Sequence, residues 1–204
     1  MRSDGEILVE HLAKAEREVV LCAPFIKEGV LASLIRVLKP RVTLRVVTRW
    51  VPSEVALGVS DLSVFDLVLA RENASLWLID ELHAKIYVSD EACLVGSANL
   101  TAKALGWASP SNVEILIEVP KSREDIRWLL QRLEYAREAT YSEMDAVGRA
   151  ADELRGNLPD NVLMNEVIMV EGALEKWLPE CAAPRLLYSV YAGLDRRIPD
   201  AVAQ

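Results

Sequence analysis

The stretch Leu82-His83-Ala84-Lys85-Ile86-Tyr87-Val88-Ser89-Asp90, followed by Cys93-Leu94-Val95-Gly96-Ser97-Ala98-Asn99-Leu100-Thr101, decides the reading of this chain. Side chains alternate along a strand, so residues 83, 85 and 87 share one face while Ala84, Ile86 and Val88 share the other. A histidine and a lysine side by side on a buried face cost free energy unless an anion stands between them, and phosphate is the obvious anion. A plainer origin also exists: an edge strand with one solvated and one buried face produces the same alternation. The second segment shifts the balance. Residues 93–95 read as a returning strand that delivers Gly96-Ser97-Ala98-Asn99 at its end. Glycine permits close backbone approach, Ser97 supplies a hydroxyl and Asn99 an amide donor. A hairpin thus gathers His83, Lys85, Ser97 and Asn99 around one pocket, an oxyanion site that needs no metal ion.

Outward from this hairpin the chain alternates between helical and strand periods. Residues 6–17 carry Ile7, Leu8, His11, Leu12 and Ala15 at helical spacing with Asp4 as N-cap, and residues 18–23 form a short apolar strand stopped by Pro24. A helix over 28–38, a strand over 41–48, and a helix over 61–71 capped by Ser60 follow. Strands over 75–79, 84–88 and 93–95 come next, then a short helix over 99–105 and a strand over 113–119. This order predicts an α/β sandwich, a mixed β-sheet flanked by helices. After Pro120 no β pattern returns. Ser122 with Asp125 resembles a capping box for a helix that continues toward Leu154, and 156–160 breaks it before helices over 161–177 and 185–194. The expected division is a catalytic domain over 1–120 and an all-helical C-terminal extension over 121–204. That extension packs on the core, forms a lid or binds partner proteins.

With 204 residues, 51% apolar and 26% charged, the chain has the balance of a globular protein. No apolar run is long enough to span a bilayer, and residues 1–5 do not read as the start of a signal peptide. Cys22, Cys93 and Cys181, odd in number and far apart, suggest reduced thiols in a cytoplasm; with no C-x-x-C pair and two histidines, a Cys/His metal site is not expected. A net charge of −8 argues against a broad nucleic-acid coat. Arg36, Lys39, Arg41, Arg45 and Arg49, with no acid among them, are the local exception. They are either solvated residues at strand ends or a strip that meets the phosphates of a nucleic acid. Trp50, Trp77, Trp107, Trp128 and Trp177 are read as core or interface residues, with Trp50 and Trp107 placed beside the basic strip and the Gly-Ser-x-Asn turn.

His83-x-Lys85-x4-Asp90 followed by Gly96-Ser97-x-Asn99 resembles the HKD motif of the phospholipase D superfamily. Ala23-Pro24-Phe25 and Asn112-x-Glu114 extend the resemblance; five residues separate Asp90 from Gly96 where the usual pattern has six. The resemblance implies a phospholipase D-like fold and a phosphodiesterase without cofactor or metal. In it His83 would be the nucleophile, forming a phosphohistidine, while Lys85, Asn99 and Ser97 would hold the phosphoryl oxygens. Glu114 would accept a hydrogen bond from the second His83 ring nitrogen. Asp90 belongs to the signature and generally shapes the hairpin. The family mechanism uses two histidines, and His11 has neither a lysine partner nor a Gly-Ser-x-Asn turn. A second chain would therefore supply the other His83, making a homodimer with a composite site.

Single-motif members of this size resemble bacterial endonucleases and the nuclease halves of restriction enzymes. The first expectation is thus metal-independent cleavage of DNA or RNA in the cytoplasm, away from membranes; a place in a bacterial defence or DNA-modification system is fold-level analogy. A silent nucleic-acid-binding or scaffold subunit, and a phosphodiesterase acting on a lipid or small molecule, are the alternatives.

Overall fold

A computed structural model describes residues 2–156. They fall in the first of two compact units, Met1–Leu158, so the boundary expected at residue 120 lies inside that unit. The second unit, Pro159–Gln204, lies outside the described residues, and with it the helices expected over 161–177 and 185–194.

The strands are β1 (Glu18–Cys22), β2 (Thr43–Thr48), β3 (Ala74–Leu78), β4 (Ile86–Ser89), β5 (Ala92–Gly96), β6 (Leu116–Pro120) and β7 (Arg137–Glu138). They form one mixed sheet in the order β6-β5-β4-β1-β2-β3-β7. β1, β2 and β3 run parallel, while β4 lies antiparallel to β1 with Cys22 opposite Ile86. Meander pairing then carries the sheet through β5 to β6. β1 alternates as a strand buried on both faces must: Val19 and Leu21 enter one core, Val20 and Cys22 the other.

The first core is covered by α1 (Asp4–Ala13), α2 (Glu28–Ile35) and α4 (Val64–Leu69), whose Leu8, Leu12, Leu31, Leu34 and Phe65 pack on Leu21, Leu44, Leu76 and Tyr87. The second is covered by α5 (Glu124–Leu133), with Ile126 and Leu133 over Cys22, Val47, Ile86 and Val88. α3 (Pro52–Ala56) packs with α6 (Tyr141–Gly156) through Val55, Ala56 and Ala151. The helix–sheet–helix sandwich is the one expected, and among the described residues no helix is long and apolar enough to cross a membrane.

Several local expectations are corrected. α1 is capped by Ser3, not Asp4, through a reciprocal capping box with Glu6. Ser60 does not cap α4. It is buried and accepts the Ile26 N–H at 3.4 Å, and the helix begins after Ser63. The segment 99–105 is a series of turns rather than a helix, because Leu100 is tied in a parallel bridge to Ile26. Ser122 gives no cap either: Arg123 stands at the N-cap of α5 without a side-chain bond. The helix stops at Leu133, whose carbonyl accepts from Arg45 Nη2 at 2.6 Å, and β pairing does return after residue 120 when β7 adds to β3.

Candidate active site

The parallel strands β1, β2 and β3 end together, at Cys22, Thr48 and Leu78, and β4 begins opposite that same edge. Ligands in open α/β sheets bind beyond the carboxyl ends of the strands. His83 and Lys85 are in the extended approach to β4 and not within it. The reason lies next door: β1 leaves the ladder at Ala23, whose N–H turns to the Val47 carbonyl, and Pro24 has no N–H to give. Strand β5 ends at Gly96, opposite Leu116, so Ser97 and Asn99 emerge at this edge beside Glu114.

Lys85 is half-buried and His83 exposed. Lys85 Nζ donates to the His83 carbonyl at 2.8 Å, and the Gly96 N–H reaches the Lys85 carbonyl at 3.4 Å. Burial lowers the Lys85 amine below its ordinary 10.5, and the Arg49 charge adds to this; Glu114 and Cys22 oppose it. The His83 imidazole makes no hydrogen bond to another described residue.

Ser97 is locked onto β6. Its N–H donates to the Ile115 carbonyl at 3.1 Å, its Oγ accepts the Ile115 N–H at 3.2 Å, and the hydroxyl proton goes to Glu114 Oε2. Glu114 Oε1 accepts from Asn112 Nδ2 at 3.1 Å. The carboxylate expected to orient His83 is therefore held by Ser97 and Asn112 in this structure, because the β5–β6 ladder brings the serine, not the histidine, against it. Asn99 Oδ1 is buried without a partner, an orphaned polar atom at the turn. Behind the turn, fully buried Tyr87 donates from its hydroxyl to the Ala98 carbonyl at 2.5 Å and braces it.

The structure brings His83, Lys85, Ser97, Asn99 and Glu114 to one edge, but not Asp90. That residue sits at the far end of β4 with φ 51°, and its carboxylate accepts the N–H groups of Glu16, Arg17 and Glu18 at 2.8, 3.0 and 3.0 Å. It clamps the chain entering β1 to the turn between β4 and β5. Nor do the five basic residues form one strip. Lys39 and Arg41 both pair with Glu16 beside the start of β2, and exposed Arg36 ends α2. Arg45 lies over Trp77, 4.8 Å from the ring centre, on the α5 face. Arg49 alone stands at the site edge, just past the end of β2, whose six residues separate its two ends by roughly 17 Å.

Sequence reasoning missed what Arg49 does there. It forms a fork with Glu54 and donates from Nη1 to the Leu82 carbonyl at 3.0 Å. The available signal was Glu54 itself, an acid in a Pro-initiated helix just after the basic run. Among the tryptophans, Trp50 is core, edge-on to Phe65, whereas Trp128 is 60% exposed. Trp177 lies outside the described residues. Among the described residues no three His, Cys, Asp or Glu side chains cluster as metal ligands would.

The family described as "Cardiolipin synthase, PLD-like domain" matches residues 8–136. NucT from Helicobacter pylori superposes with a TM-score of 0.51 at 14% identity, covering 66% of this chain and 89% of that one. Phosphatidylserine synthase from Haemophilus influenzae superposes with a TM-score of 0.55 at 12% identity, covering 77% of this chain and 41% of that one. No curated protein sequence matches the chain. The match over residues 8–136, in a fold that sets His83, Lys85, Ser97 and Asn99 at one sheet edge, makes the chain a member of the phospholipase D superfamily.

Proposed function

We propose that the protein is a phosphodiesterase that works without a metal ion, cleaving DNA or RNA internally as a homodimer. The observation that carries this reading is the exposed His83 ring, with no hydrogen bond to another described residue, at the same sheet edge as half-buried Lys85 and half-buried Asn99. In the first step a neutral His83 nitrogen attacks phosphorus; the N–P bond forms as the bond to the leaving oxygen breaks. That oxygen takes its proton from His83 of a second copy. Water then attacks phosphorus, giving its proton to that second imidazole, and the N–P bond breaks to regenerate the free ring. Lys85 and Asn99 bear the charge that builds on the non-bridging oxygens. Support for a second copy comes from counting: His11, the other histidine, is buried with Nε2 on the Tyr87 carbonyl at 3.1 Å.

A phospholipid phosphodiester is the second reading. Val113 and Ile115, on either side of Glu114, are 102% and 60% exposed and form an apolar lip that acyl chains would meet. The two readings separate on substrate: bis-p-nitrophenyl phosphate first, then single-stranded DNA, duplex DNA, RNA and phospholipid vesicles, each with EDTA. Hydrolysis of nucleic acid that survives chelation and falls about 10³-fold or more in His83→Ala supports the first reading. Hydrolysis confined to vesicles supports the second. No hydrolysis of any of them, with nucleic-acid binding unchanged in His83→Ala, overturns both in favour of a binding subunit.

A further inference from the structure

Arg49 and Glu54 form the most deeply buried of the ion pairs described above, each side chain only 18% exposed. A buried pair is weak evidence for stability, because the desolvation of both charges offsets their attraction, so its place in the fold asks for another reason. Its geometry supplies one. Nε and Nη2 of Arg49 hold the Glu54 carboxylate at the start of α3, while Nη1 holds the carbonyl of Leu82, the residue before His83. The guanidinium also lies 5.3 Å from the ring centre of Phe25, on the segment where β1 leaves the sheet. That segment is tied in turn to the Gly-Ser-x-Asn turn, since the Leu100 N–H donates to the Phe25 carbonyl at 3.1 Å and the Lys27 N–H to the Leu100 carbonyl at 3.0 Å. One side chain thus joins the three backbone segments that converge on the site.

We infer that Arg49, held by Glu54, is a positioning residue for His83 and Lys85 and not a contact for substrate phosphate. The inference rests on the phosphodiesterase reading for its kinetic consequence, though not for its geometric one. His83 and Lys85 precede β4; Lys85 is tied through its carbonyl to the Gly96 N–H, and on the other side the Leu82 carbonyl is the fixed point next to His83. A guanidinium suits this position because it is planar and permanently charged. It also offers donors in two directions at once, which a lysine ammonium in the same place does not reproduce. The charge has a second effect. Arg49 faces Lys85 together with Glu114 and Cys22, and of these Arg49 alone acts with burial to favour the neutral amine.

The test compares wild type, Arg49→Gln and Arg49→Lys by kinetics on bis-p-nitrophenyl phosphate and by amide hydrogen exchange at residues 82–85. Both variants should lose kcat by about 10- to 100-fold with KM changed less than about threefold, and exchange should quicken at 82–85 but not in β1 or β2. The alkaline limb of the pH–rate profile, where Lys85 loses its proton, should move to higher pH in Arg49→Gln, which removes the like charge, and stay in place in Arg49→Lys. Loss in KM with kcat intact would make Arg49 a phosphate contact and overturn the inference. Unchanged exchange at 82–85 would overturn it as well, whether or not the enzyme turns over. A wild type that hydrolyses nothing, yet shows the quickened exchange in both variants, would sink the phosphodiesterase reading and leave the positioning role standing.

Discussion

A Cβ placed on Gly96 would stand 1.7 Å from the carbonyl oxygen of Ile115. The end of β5 and the start of β6 approach so closely that no side chain fits between them, and this approach is what lets Ser97 reach Glu114. Because the obstacle is backbone, it cannot swing aside as a side-chain tip would.

Gly96→Ala should therefore destabilise the fold by about 1–3 kcal/mol and pull Ser97 from Glu114. Gly29, in α2, is the control: a Cβ there meets nothing within 4 Å. Gly29→Ala should be neutral or stabilising by about 0.4–1 kcal/mol. Urea denaturation of both variants checks this, and equal effects at the two positions would refute the steric account.

Asp90 should matter for folding and not for chemistry. Burial opposes its ionisation, yet the N–H groups of Glu18, Glu16 and Arg17 hold its carboxyl below the ordinary 3.8. The stability this brings is present above pH 3.8 and is lost as the pH falls through the lower folded value. Asp90→Ala should cost about 1–3 kcal/mol while leaving kcat of the folded fraction within about twofold. A large fall in kcat at full folding would return Asp90 to the catalytic set.

His11 should make the fold sensitive to mild acid. Burial holds its pKa below the ordinary 6.5, and Lys14 adds to this; the Tyr87 carbonyl and Glu118 oppose it without prevailing. Below 6.5 the unfolded chain takes up a proton that the folded one resists, so stability drops as the pH falls. Comparing urea midpoints at about pH 7.5 and 5.5 should show a smaller loss in His11→Gln than in wild type. Identical slopes would mean that His11 is already solvated in the native state.

Both buried cysteines should be inert. Burial pushes the Cys22 thiol up to about 12 and the Cys93 thiol to about 11, so neither offers appreciable thiolate near neutrality. Iodoacetamide at about pH 8 should leave both unlabelled in the native protein and label both in urea, read by peptide mass spectrometry. Native labelling at either position as fast as in urea would show that the sheet opens there.

Much of the fold was legible because its signals are local. The apolar run at 18–22, the period-two pattern around 86–88 and the helical spacing of Leu8 and Leu12 each report a buried face within a few residues of chain. The helix caps and the segment 99–105 were misread for a different reason. Ser60 and Leu100 are recruited by Ile26, more than thirty residues away from either, and no local propensity records that. The exchange of His83 for Ser97 as the partner of Glu114 has the same origin, since the pairing of Gly96 with Leu116 decides which side chain meets the carboxylate.

What the amino-acid order determined by itself was the set of polar side chains offered at the site: a histidine, a lysine, a serine, an asparagine and a glutamate at spacings that put them at or beside strand ends. Those spacings are covalent and survive any packing. What the tertiary structure alone decided was who meets whom. It divided a basic run of five residues among four places, turned Asp90 into a backbone clamp and set Arg49 between Glu54 and Leu82. Such meetings depend on the order in which strands lie in the sheet, and β4 reaches β1 only because the long chain between them, carrying β2 and β3, folds to the other side of β1.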